Sequence, residues 1–280
     1  MSQPFGMRLA QAMDHHGPLC LGIDPHQHLL NDWGLNDDPA GLAVFSKTVV
    51  EAAAETPGVA ALKPQVALYE RLGSAGFAVL EDTLELARQA NIVTIADAKR
   101  GDIGSTMQGY AQAWLAEGSS LAADAVTLSP YLGYESLRPA IDLALANQRG
   151  VFVLALTSNP EGATVQHLGA AGDSVAKRIV DSCTQDNQNA VRLGSVGLVV
   201  GATVTAQAEA LNIDLAGANA PILAPGYGSQ GAQAENIREG FGQAWPNVLV
   251  NSSRAILQHG PKVSDLKSAI RDARKDLAVK

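Results

Sequence analysis

The stretch NIVTIADAKRGDIGST, residues 91–106, carries the two features that decide the fold: a β-rich apolar run and an abrupt charged end. Ile92, Val93, Ile95 and Ala96 read as a strand over 91–98, near-continuously apolar rather than alternating. Such a strand is buried on both faces, as in a parallel sheet covered by helices. Four charged side chains, Asp97, Lys99, Arg100 and Asp102, then fall within six residues of a chain that is only 17% charged.

The same pattern recurs outward in both directions. Further strands are predicted at LCLGI (19–23), VAALK (59–63), ADAVTL (123–128), VFVLAL (151–156), SVGLVV (195–200), APILA (220–224) and NVLVN (247–251). Between them lie stretches with apolar residues at helical spacing, such as DTLELARQA and DSVAKRIVDSCTQD, each opened by an Asp suited to an N-cap. Eight strand–helix units in 280 residues is roughly 35 per unit, close to what a (β/α)8 TIM barrel requires. The expectation is therefore one α/β barrel domain over 1–280. A doubly wound open sheet is the alternative, weakened because no G-x-G-x-x-G opens the first helix. Segments 24–44 and 129–149, with Pro, Gly and Asn, read as loop elaborations of that domain.

Composition narrows the partners. Net charge is −8 and no basic stripe is visible, which argues against nucleic-acid binding. No apolar run approaches the roughly 20 residues that span a bilayer, and the first residues show no basic region followed by an apolar core, so neither membrane nor secretion is expected. Cys20 and Cys183 are the only cysteines. Two lone cysteines read as buried small apolar residues in a reducing cytoplasm.

Polar residues gather where the predicted strands end. Asp24 ends the first strand and Lys63 the second; Asp97 and Lys99 end the third; Thr157 and Ser158 follow the fifth. APGYGSQG, with Pro225 and Gln230, follows the seventh, and NSSR, ending in Arg254, follows the eighth. In a barrel all of these lie on the C-terminal rim, where barrel enzymes place their sites, and the last two loops often bind phosphate. The glycines let backbone N–H groups approach an anion, Gln230 adds an amide donor, and Arg254 can fork onto phosphate oxygens.

Along a regular strand Asp97 and Lys99 point to the same side, with Cα atoms about 6.5 Å apart. If that side is the barrel interior, each needs an opposite charge nearby. Asp102 lies past the strand end, and spacing does not fix its direction. A purely structural ion-pair network is the alternative reading.

DAKRGDIGST resembles the D-x-K-x-x-D-I signature of the orotidine 5′-phosphate decarboxylase family. The likeness extends through Asp24, Lys63, Thr106, Ser158, Pro225 to Gln230, and Arg254, and the length and the TLSPYLG loop resemble the longer bacterial subgroup. The resemblance implies a homodimeric barrel without metal or organic cofactor, converting orotidine 5′-monophosphate to UMP. It implies Lys99 as proton donor, flanked by Asp97 of its own chain and by Asp102 of the neighbour, with Ile103 and Thr106 coming across alongside Asp102. It assigns Asp24 and Lys63 to the ribose, Ser158 to the pyrimidine, and Gln230 and Arg254 to the 5′-phosphate. Two positions depart from the shorter members: Ser253 where many have Gly, and Asn159 where His is frequent.

That chemistry suits the residues. Loss of CO2 from C6 leaves negative charge that cannot delocalise into the ring, and a fixed ammonium stabilises that charge and then supplies its proton. Competing expectations are another phosphate-binding barrel enzyme (a sugar-phosphate decarboxylase, aldolase or epimerase), usually with a metal, or a non-catalytic nucleotide sensor. No His–Asp–His ligand set appears at the strand ends. His26 and His28, alternate residues after the first strand, are the nearest to one and read as solvated loop histidines.

Overall fold

The computed structural model describes residues 3–228 and 232–278. Eight strands run β1 (Leu19–Ile23), β2 (Ala61–Pro64), β3 (Val93–Arg100), β4 (Ala125–Leu128), β5 (Gly150–Leu156), β6 (Val196–Val200), β7 (Ile222–Pro225) and β8 (Val248–Ser252). Every neighbouring pair is parallel, and β8 pairs back onto β1 with Cys20 beside Asn251, closing a (β/α)8 barrel. All eight sequence-predicted strands are present. VAALK begins two residues later than predicted, at Ala61, although Val59 and Ala60 are buried and the Ala60 amide already donates to the Leu19 carbonyl of β1 at 2.8 Å.

Side-chain alternation builds two cores. Cys20, Ala61, Ile95, Ala125, Phe152, Val199, Leu223 and Leu249 point inward. Their neighbours Leu21, Leu62, Ala96 and Val126 point out against the helical shell. The helix Phe5–His16 closes the N-terminal end, with the Phe5 ring set edge-on to Phe152 at 6.0 Å. A Cβ on Gly150 would sit 2.2 Å from the Phe5 ring, so that seal needs glycine at this strand start. One end of the barrel is thus plugged with hydrocarbon, and the other is left for chemistry.

Three expectations change. Segments 24–44 and 129–149 are largely helical, containing Gln27–Asp32, the start of Pro39–Ala54, Tyr134–Leu137 and Arg138–Ala146. Asp82 is no cap, since its helix runs Gly73–Gln89. The helix after β5 is capped by Ser174, whose side chain accepts from the Lys177 amide, rather than by Asp173. An Asp does cap Pro39–Ala54: Asp38 accepts from the Gly41 amide at 2.8 Å. Among the described residues no helix is long and apolar enough to cross a membrane.

Candidate active site

The inward rows turn polar as they reach the C-terminal rim. Cys20 is followed two residues on by Gly22 and then Asp24, Ala61 by Lys63, Ile95 by Asp97, Ala125 by Thr127, and Leu249 by Asn251 and then Ser253. With period two, each of these five strands carries its apolar plug and its polar tip on the same face. Asp24, Lys63, Asp97, Asn251 and Ser253 line a cavity of about 400 Å³ with His26, Gln65, Lys99, Thr157, Asn159, Pro225, Gly226 and Arg254, while Thr127 stands behind it against Asp97.

Asp97 is the hub. Its Oδ2 accepts from Lys63 Nζ at 2.9 Å, and its Oδ1 accepts from Lys99 Nζ at 2.6 Å and from the Thr127 hydroxyl at 3.0 Å. Asp24 Oδ1 lies 3.9 Å from Lys63 Nζ. Asp97 and Lys63 are buried, whereas the Lys99 side chain keeps 46% of its surface and reaches into the cavity. Burial by itself would raise the Asp97 carboxyl, but the two ammonium groups outweigh it and hold it well below the usual carboxylate range. Burial would lower Lys63, yet the carboxylates of Asp97 and Asp24 hold it above the usual lysine range.

Lys99 does not sit on a regular strand. Ala96 pairs with Val126 while Arg100 pairs with Leu128, so β3 bulges between them. Lys99 lies in the bulge at φ 48°, a left-handed conformation uncommon for a long side chain. Thr127 pins it: one hydroxyl accepts from the Lys99 amide at 2.9 Å and donates to Asp97. Bulges of this kind re-aim a side chain next to a site, and the strain is held by the surrounding bonds. The expected shared side for Asp97 and Lys99 is met through this kink.

The other sequence-predicted residues divide. Asp24, Lys63, Pro225 and Arg254 line the cavity with Asp97 and Lys99. Ser158 is exposed and does not line it; its loop neighbours Thr157 and Asn159 do. Asp102, Ile103 and Thr106 do not line their own chain's cavity, and Asp102 accepts from the Ile103 amide at 2.8 Å. Gln230 lies outside the described residues. The loop leading to it is fastened at Tyr227, whose hydroxyl donates to Asp276 at 2.6 Å. Thr127, Gln65 and Asn251 were not singled out from sequence, although counting in twos from Ala125, Lys63 and Leu249 reaches them. Among the described residues no group of three His, Cys, Asp or Glu side chains could hold a metal ion. The His26 and His28 rings stack at 5.5 Å. Cys20 and Cys183 are buried and free, and burial pushes each thiol up to about 12.

The charged hub makes a first prediction. Asp97 is held low, so its contribution to stability is present above the unfolded value of about 3.9 and is lost only as pH falls through a lower folded value. Lys63 is held high, so its contribution is complete below about 10.4 and is lost only as pH rises through a higher folded value. Asp97→Asn leaves a buried ammonium short of its partner and should cost about 3–5 kcal/mol at neutral pH. Urea titrations should show that deficit flat from about pH 5 to 9, shrinking only below about pH 4. A deficit that varied across the flat range would contradict this assignment.

A closed parallel barrel with an ion-paired lysine and an uncovered arginine on its C-terminal rim is the architecture of a barrel enzyme. Residues 17–269 match the Orotidine 5′-phosphate decarboxylase / HUMPS family, and the chain belongs to that family. It is 53% identical over 268 residues to an orotidine 5′-phosphate decarboxylase of Streptomyces coelicolor (strain ATCC BAA-471 / A3(2) / M145), covering 95% of this chain and 94% of the relative. It is 52% identical, with the same coverage, to one from Salinispora arenicola (strain CNS-205). The crystal structure of a provisionally assigned orotidine 5′-phosphate decarboxylase from Streptomyces avermitilis ma-4680 superposes with a TM-score of 0.92 at 51% identity, covering 99% of this chain and 95% of that one. The Leishmania donovani OMP decarboxylase superposes at 0.77 with 27% identity, covering 98% of each chain.

Proposed function

We propose that the chain decarboxylates orotidine 5′-monophosphate to UMP, with Lys99 protonating C6. The observation that carries this reading is Lys99 Nζ, held 2.6 Å from Asp97 Oδ1 and facing a cavity that also holds Lys63, Asp24 and Arg254. The bond from C6 to the carboxylate breaks, CO2 leaves, and the electron pair stays on C6. The Lys99 ammonium stabilises that pair and transfers one proton to it; solvent then returns the proton to Lys99. Asp97 keeps the ammonium aimed, and because it is already paired it does not reorganise during the reaction. Arg254 holds the 5′-phosphate, and that remote binding fixes C6 against Lys99. Gln230 assists at the phosphate, Pro225 shapes the same wall, and Ser158, outside the cavity lining in this structure, reaches the pyrimidine only once its loop folds over bound substrate.

The whole chain works as one barrel unit, in the cytoplasm, where Cys20 and Cys183 stay as thiols. Two copies share each site. Ile103 is 62% exposed, Tyr131 80% and Leu132 54%, a concentration of apolar surface on the loops after β3 and β4 that suits a partner chain. Asp102, Ile103 and Thr106 lie on the same segment and do not face their own cavity. In this reading each copy lends them to the other.

Loss of orotate absorbance in the purified protein given orotidine 5′-monophosphate tests the activity directly. Turnover should persist unchanged after exhaustive chelation. No turnover, or turnover that chelation abolishes and a metal restores, would overturn the proposal.

A further inference from the structure

Ser253 stands in the N-cap position of the one-turn helix Arg254–Leu257, yet its side chain caps nothing. A serine there ordinarily accepts a backbone amide. Instead the side chain turns inward, at the top of the row that runs Leu249, Asn251, Ser253, and lines the cavity. Its Oγ is buried and has no hydrogen-bond partner among the described residues; the same is true of Asp24 Oδ1 across the β8–β1 seam. Gly22 shows how close the two oxygens come. A Cβ on Gly22 would sit 1.8 Å from Ser253 Oγ and 3.2 Å from Asp24 Oδ1, so one point in space neighbours both, and only glycine leaves it clear.

A buried hydroxyl and a buried carboxylate oxygen that make no hydrogen bond are each costly, even with Lys63 Nζ 3.9 Å from Asp24 Oδ1, and their meeting at one cavity wall calls for an explanation. One is an acceptor only; the other is free to donate. A ligand phosphate oxygen cannot satisfy the pair, because it has no proton for Asp24 and is repelled by it. A ligand hydroxyl can, since it donates one hydrogen bond while accepting another. We propose that Ser253 is a further substrate-binding residue: its hydroxyl donates to a ribose hydroxyl that itself donates to Asp24 Oδ1. The inference rests on the reading of this cavity as the nucleotide site and adds Ser253 to it.

The test titrates UMP, 2′-deoxy-UMP, 3′-deoxy-UMP and uridine into wild type, Ser253→Ala and Arg254→Ala. Ser253→Ala should weaken UMP and uridine alike, by roughly 5–10-fold, the scale of one net hydrogen bond. One of the two deoxynucleotides, lacking the clamped hydroxyl, should bind wild type and Ser253→Ala within about twofold of each other. The melting temperature of free Ser253→Ala should equal or exceed that of wild type, because the variant removes an unsatisfied buried group. An effect on UMP under about twofold overturns the inference, as does an equal loss for both deoxynucleotides or a loss of affinity that comes with a fall in melting temperature. Arg254→Ala is the control for the wider reading and should weaken UMP far more than uridine. If it leaves UMP binding untouched, the nucleotide reading of the cavity fails and this inference with it; if only Ser253→Ala is silent, this inference alone fails.

Discussion

Lys99→Ala should lower turnover by about 10⁴-fold or more while UMP still binds. A positioned general acid contributes about 10²–10⁴-fold, and a fixed charge aimed at the developing anion about 10²–10³-fold. Lys99 supplies both. The variant should fold, because Asp97 keeps its bonds to Lys63 Nζ and Thr127 Oγ1. UMP carries no carboxylate at C6 and places little demand on Lys99, so its affinity should change far less than kcat. Lys99→Arg separates charge from proton: it keeps a cation but its guanidinium does not give up a proton at working pH, so it too should be inactive. Turnover of either variant within tenfold of wild type would remove Lys99 from the donor role. Loss of UMP binding in step with turnover would make Lys99 a scaffold for the site instead.

How much of this was legible from residues alone depends on periodicity. The barrel was readable because buried parallel strands are apolar on both faces, so runs such as VFVLAL and SVGLVV announce themselves without alternation. The polar tips were readable because Asp24, Lys63 and Asp97 interrupt those runs at their ends. The β3 bulge was not. Period-two counting assumes a regular strand, and only pairing with β4 reveals that four residues on β3 span what two span on its neighbour. Helix starts failed where an Asp inside DTLELARQA looked like a cap although the helix had begun at Gly73. Ser253 drew notice only as a departure from shorter family members; its meaning depends on Gly22 of a strand more than two hundred residues away. The direction of Asp102 was open in the sequence, and the single chain shows only that it does not line its own cavity.

That last residue sets up the expected result of mixing two dead proteins. Asp102 lies just past the end of β3, half-buried, accepting from the Ile103 amide. The proposed dimer sends it to the neighbour's Lys99. Lys99→Ala protein and Asp102→Ala protein should each be nearly inactive, since every site in either homodimer has one lesion. After subunit exchange, one site of a mixed dimer takes both lesions. The other takes Lys99 from the Asp102→Ala chain and Asp102 from the Lys99→Ala chain, and is whole. Random exchange of equal amounts makes about half the dimers mixed, so about a quarter of all sites should be intact. Activity should climb from near zero toward that fraction of wild type, at a rate set by exchange and followed with tagged subunits. If Asp102 instead serves the Lys99 of its own chain, every site in every dimer keeps a lesion and mixing restores nothing. Verified exchange without recovery would therefore end the shared-site proposal, while leaving Lys99 as the proton donor untouched.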